Sequence, residues 1–271
     1  KKGNKNIKLL GASSLFNDIG SEMITPILPF YILALGGTGI AVGALSGLRE
    51  GLSSLFKLFG GWISDRMGKR KGFVFAGYLI SIISRFFLVL AKTWQVVIGL
   101  ISVERIGKLR DAPRDAIIAQ STKHRGKGFG IHQAFDAVGG IIGILLVIFL
   151  FWKIGLNFKI IILIAALLSS ISLIPLFFVR EPKIKPTKEG LFKGIKNLDK
   201  RLKYFIVVAS VFTLANFGLY MFMILLAEEF TGSILISLML YALFNFVFAL
   251  FVIPFGKLSD KIGRKKVLFM G

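Results

Sequence analysis

Among the ionisable side chains inside apolar runs, where a lipid-soluble helix should carry none, Asp18, Glu22, Glu50, Arg105 and Asp136 are the candidates for a proton or substrate cavity. A charge at the centre of such a helix costs about 3 kcal/mol unless it is paired or wetted. Asp18 and Glu22 are four residues apart and share one helix face. At ~1.5 Å per residue, Asp18 lies ~15 Å in from the basic edge of its run, near the bilayer midplane. Arg49 and Glu50 reach a similar depth in the second run, pointing ~100° apart. Ser46, Glu50, Ser54 and Lys57 form a polar stripe there, and His132 and Asp136 share a face that continues into Gly139, Gly140 and Gly143. Carboxylates at that depth can take up and release protons, and Arg105 can bias them. The competing reading is that these groups are structural pairs locking helices together. Arg85, in the outer third of its run, is expected to snorkel. Glu104 and Lys108 have the i, i+4 spacing of a pair.

A second constellation sits between the apolar runs at 40–60 and 72–91, where a tight turn is expected. Gly61, Ser64, Asp65, Arg66, Gly68, Lys69, Arg70 and Lys71 combine two glycines, one carboxylate and four bases. The pattern returns 195 residues later as Gly256, Ser259, Asp260, Lys261, Gly263, Arg264, Lys265 and Lys266. Two copies imply two halves built alike. A topology signal needs only the bases, so the repeated Asp and glycines point to a gate that latches one closed state. Asp65 is expected to accept hydrogen bonds from bases or a helix N-terminus of the other half.

These groups must be positioned by membrane helices. Hydrophobic residues are 55% of the 271, with 27 Phe, and mean hydropathy is +0.75. Runs near the ~20 residues that span a bilayer recur along the chain. A barrel would show alternating segments of about ten residues instead. The net charge of +21 is placed by topology: 28 of the 35 Lys and Arg fall in segments 1–8, 66–71, 108–127, 180–203 and 257–266. Basic segments alternate with connections poor in base, which puts the N-terminus in the cytoplasm. The excess favours anionic lipid at that face and argues against nucleic acid as a partner. With 0 Cys, disulfides and thiol nucleophiles are excluded. No Ser-His-Asp set or metal-ligand cluster stands outside a run, so no enzyme, cofactor or metal is expected. The glycines and bases of 126–130 fit no nucleotide-binding spacing.

Taken in order, eight spans are expected, at about 8–35, 40–60, 72–91, 94–118, 129–151, 159–179, 204–227 and 233–255. Residues 1–179 form a six-helix bundle. Residues 180–203 are a basic cytoplasmic linker, in which Leu191, Ile195, Leu198 and Leu202 predict a short amphipathic helix. Residues 204–271 supply the first two helices of a second bundle. Asn216, Tyr220, Tyr241 and Asn245 are placed to line a cavity opposite the first span, and 244–251 is Phe-rich in a way that suits lipid. The chain starts at Lys1 and stops at Gly271, where a ninth span is expected, and so reads as a fragment.

The twin loops, in register on this hydropathy, resemble the repeated cytoplasmic loop motif of the major facilitator superfamily, which joins helices 2–3 and 8–9. Arg105, Gly107, Lys108, Arg110, Pro113 and Arg114 resemble the fourth-helix signature of a permease and exporter subset, and 16–23 is similar to that subset too. The resemblance implies an all-α membrane fold, a polytopic bundle cut after its eighth helix. It also implies alternating access around a central site. The function expected is secondary transport of a small solute in the plasma or inner membrane, proton-coupled, with export favoured over uptake. The alternative is a membrane sensor or scaffold that reuses the fold without transport.

Overall fold

A computed structural model describes residues 3–181, 186, 198–215 and 219–262, which are helical apart from short connections. Eight long helical segments follow one another. The first is α1 (Gly3–Ile24), a 3-10 turn (Thr25–Ile27) and α2 (Leu28–Ala34). Next come α3 (Gly39–Met67), α4 (Lys71–Leu88), and α5 (Trp94–Ile106) joined through a 3-10 turn (Gly107–Arg110) to α6 (Asp111–Ser121). Then follow α7 (Arg125–Trp152) and α8 (Phe158–Ser170) with α9 (Leu173–Phe177). The last two are α10 (Lys200–Ala215) with α11 (Leu219–Thr231), and α12 (Ile234–Ile262).

Proline explains the breaks. A proline in a helix removes an N–H and crowds the carbonyl four residues earlier. Pro26 and Pro29 fall at the 3-10 turn and in the first turn of α2. Pro113 stands four residues after Leu109, inside the 3-10 turn that separates α5 from α6. Pro175 stands four residues after Ile171, whose carbonyl instead accepts from the Ile174 N–H at 3.1 Å.

By length and composition, Lys71–Leu88, Arg125–Trp152 and Phe158–Phe177 are long and apolar enough to cross a membrane among the described residues. Charged residues interrupt the first and second segments, and α5 is only 13 residues long before its 3-10 turn. The expected turn over 61–71 is shorter than predicted. Residues 61–67 complete α3, and only 68–70 turn, with Gly68 at φ 65, a left-handed conformation that glycine takes without Cβ strain. Glu228 and Glu229 lie within α11, and the turn follows at Gly232. Of the predicted linker helix, Leu191 and Ile195 lie outside the described residues, whereas Leu198 precedes α10 and Leu202 lies within it.

Two apolar clusters stack along the bundle. The larger joins Met23, Ile27, Leu45, Leu88, Ile101, Val147 and Ile161 among others. The smaller, toward the basic end, joins Ile7, Leu10, Val74, Tyr78, Ile117, Ile118, Leu176 and Val179. Each of α1, α4 and α8–α9, and the α5–α6 segment, gives residues to both clusters. Between its two contributions each carries buried polar side chains: Asn17, Arg85, Glu104 and Arg105, and Ser169. The fold therefore sandwiches a polar layer between two greasy ones. α1 is the axis of this arrangement and packs on α7 and α8. Gly139 and Gly143 admit its backbone: a Cβ on either would run into the carbonyls of Leu15 or Ile19. α12 packs on α7 and α11 on α2, so the last helices sit against the first six.

Candidate functional site

The most tightly held part of the polar layer centres on Glu104. Its Oε1 accepts from Arg85 Nη2 at 2.8 Å and Nε at 3.2 Å, and its Oε2 accepts from Arg105 Nη2 at 2.7 Å. Arg85 also donates through Nη1 to the Asn17 carbonyl at 3.1 Å and to Ser169 Oγ at 2.5 Å. One guanidinium thus ties α4 to α5, α1 and α8 while being only 2% exposed. Two expectations are corrected. Arg85 does not snorkel, because every partner it has lies inward. Glu104 does not pair with Lys108: the 3-10 turn after Ile106 rotates Lys108 away, toward Asp111 at 3.6 Å.

Asp18 and Glu22 do share a face, the one turned toward α7 and α12. Asp18 accepts from Asn17 Nδ2 at 3.0 Å and from Ser14 Oγ at 3.5 Å. The charges that act on it are those of Asp136, Lys108 and Arg110. Arg105, expected to bias the α1 carboxylates, is engaged by Glu104 instead, beside Arg49. Asp136 Oδ2 lies 3.2 Å from His132 Nδ1, and its charge also meets the Ser14 hydroxyl. Ser14 therefore stands between the carboxylates of α1 and α7. Glu22 Oε2 accepts from Tyr241 Oη at 3.0 Å, a bond that crosses from α1 to α12. Tyr241 in turn lies against Tyr220, with ring centroids 6.4 Å apart. Asn245 bonds the Tyr241 carbonyl within its own helix, and Asn216 lies outside the described residues.

On α3, Arg49 is buried and donates through Nη2 to Thr25 Oγ1 at 2.7 Å, whereas Glu50 is exposed. Lys57, on the Glu50 stripe, approaches Asp111 Oδ2 at 3.6 Å. Asp111 gathers four bases within 4 Å: Lys57, Lys108, Arg110 and Arg114. Sequence reasoning passed over Asp111, although its i, i+3 spacing to Lys108 and Arg114 signalled a pairing centre.

At the basic end, Asp65 Oδ1 accepts from Arg70 Nη2 at 2.7 Å, within its own turn. Among the described residues it has no bond from α10, α11 or α12. Glu181 Oε1 accepts the backbone N–H groups of Arg70 and Lys71, capping the start of α4. Arg66 lies over the Trp62 ring at 5.6 Å, and Gly61 lies near Ala112 on α6. Gly256, Asp260 and Lys261 fall in the last turns of α12, while Gly263 and Arg264 lie outside the described residues. No group of His, Asp and Glu able to hold a metal occurs among the described residues.

Taken together, the fold and site define a polytopic α-helical membrane protein with a buried layer of paired charges at Arg85, Glu104 and Arg105. The sequence profile of the Major Facilitator Superfamily matches residues 10–271, and the chain belongs to that family of membrane transporters. It is 47% identical to an uncharacterized MFS-type transporter of Methanocaldococcus jannaschii, covering 98% of this chain and 69% of that protein. It is 27% identical to multidrug resistance protein MdtH of Proteus mirabilis, over 90% of this chain and 62% of the relative. Its fold is similar to that of the peptide transporter POT in complex with sulfate, with a TM-score of 0.57 at 19% identity. That match covers 83% of this chain and 50% of the transporter, so the chain spans about half the length of that solved structure.

Proposed function

We propose that the whole protein moves a small solute across the plasma or inner membrane by alternating access, coupled to protons and in the export direction. The observation that carries this reading is the Glu22–Tyr241 hydrogen bond, 3.0 Å long, between a carboxylate of α1 and a helix beyond the basic linker. A carboxylate bonded across two bundles loses that partner when the bundles rock apart, and its hold on a proton changes with the state of the transporter. Asp18 supplies a second carboxylate on the same face, held only by neutral side chains. Residues 1–179 form one rocking unit, 180–203 the tether, and 204–271 the start of the second unit. The N-terminus and the Asp65 and Asp260 turns face the cytoplasm, beside anionic lipid, and the turns latch the inward-closed state by bonds to the other bundle. Export draws support from the MdtH relative, whose name records multidrug resistance.

The test is transport by the whole protein reconstituted in liposomes, screened over small solutes with and without a protonophore. For a solute that moves, Asp18→Asn with Glu22→Gln should abolish pH-gradient-driven flux while leaving exchange at zero gradient measurable. Unchanged gradient-driven flux in the double variant removes the proton-coupling claim.

A further inference from the structure

Arg49 is a buried cation with no ion pair within 4 Å among the described residues, although the charges of Glu104 and Glu22 reach it. It is 7% exposed, and its described hydrogen bond goes to the neutral Thr25 hydroxyl at 2.7 Å. Its Nη1 has no partner. Ser46, one turn earlier on the same face of α3 and 0% exposed, also presents an Oγ with no partner. Arg105 Nε is a third buried donor left empty, and the Arg49 and Arg105 charges act on each other. The charge count around them is unbalanced. Arg49, Arg85 and Arg105 face Glu104, which two of them already share, and Glu22, which Tyr241 holds. With Glu50 exposed, the groups enclosed by these helices carry one positive charge more than they carry negative. Buried donors are normally satisfied, and a buried cation is normally matched. Orphaned donors beside an excess positive charge form a receptor for an anion. The Tyr220 and Tyr241 side chains act on Arg49 too, and their paired rings offer an apolar wall beside it.

We propose that this cluster is a binding site for an organic anion, with a carboxylate held by Arg49 Nη1 and Ser46 Oγ beside Arg105. The inference rests on the transport reading and assigns its substrate class, but it is tested by binding rather than by flux. The purified whole protein is titrated calorimetrically with benzoate, with its neutral analogue benzamide, with the cation benzylamine, and with chloride alone. Benzoate should bind at least about ten-fold more tightly than benzamide or benzylamine, since a charged acceptor roughly doubles the strength of such bonds. Arg49→Gln should weaken benzoate about ten-fold or more, and Arg49→Lys should restore part of the loss. Ser46→Ala, a small change that leaves every described ion pair in place, should weaken it about three-fold and guards against misfolding of the Arg49 variants. Equal binding of benzoate and benzamide overturns the proposal, as does benzoate affinity unchanged in Ser46→Ala and Arg49→Gln. Chloride binding that excludes benzoate overturns the organic assignment. Benzoate binding without any flux leaves the site standing and removes the transport reading, and flux of non-anionic solutes alone does the reverse.

Discussion

Two carboxylates in the polar layer illustrate how differently the same chemistry can be used. Glu104 is 6% exposed and carries two arginines, whereas Asp18 is held by a serine and an asparagine. Removing one partner of a buried ion pair leaves an uncompensated charge and costs about 3–5 kcal/mol, so Glu104→Gln should lower the melting temperature strongly. Asp18→Asn exchanges one hydrogen-bonding group for another of the same shape and should shift stability by less than ~1 kcal/mol. Thermal unfolding in detergent followed by circular dichroism separates the two; comparable losses would show that Asp18 is structural as well. The sequence made Asp18 and Glu22 legible because their spacing alone places them on one face. It misled at Glu104, since i, i+4 pairing assumes an unbroken α-helix and Pro113 converts the next turn to 3-10 geometry. Arg85 was misplaced for a related reason. Depth counted from a helix end ignores where a long side chain reaches, and Arg85 reaches the α1 backbone.

At the scale of elements, the seam between α1 and α7 sets the spacing of the α1 carboxylates from Asp136. Van der Waals contact between helix backbones is the main source of helix association in lipid, which makes small residues at the seam valuable. A Cβ at Gly143 would overlap the Ile19 carbonyl, whereas one at Gly140 would meet only Glu22 Cγ at 3.6 Å. Gly143→Ala should therefore separate the helices and cost about 1–3 kcal/mol, by the usual penalty for overpacking. Gly140→Ala should be nearly neutral in the same melting experiment, and equal effects would contradict the described seam. The run of glycines after Asp136 was readable as a close-packing face, but which helix it met was not, because nothing local selects α1 over α8. Helix limits were readable to within about a turn at most ends, but α1 starts well before the expected 8, α12 runs well past the expected 255, and α3 continues beyond Gly60. There a pair of glycines reads as a break, yet Gly60 stays helical and lets α3 pack against the Leu109 backbone.

For the whole molecule, hydropathy and the alternation of bases announced a multi-span helical bundle, and the repeated loop announced two related halves. The stacking of two apolar clusters with charges between them was not readable, since it depends on how eight segments register against one another in depth. The bond from Glu22 to Tyr241 was foreshadowed only by the choice of Tyr241 as a residue opposite the first span. The transport reading requires Asp18 and Glu22 to meet water in at least one state, and with 0 Cys in these 271 residues an introduced thiol has no competitor among them. Single variants Asp18→Cys, Glu22→Cys, Leu167→Cys and Phe244→Cys of the whole protein can be exposed in membranes to a water-soluble, membrane-impermeant thiol reagent applied from each side. Leu167 and Phe244 are 54% and 62% exposed on helix faces suited to lipid. The account predicts that the cysteines at 18 and 22 react from at least one side while those at 167 and 244 stay silent. Silence at 18 and 22 alongside labelling at 167 or 244 would contradict it.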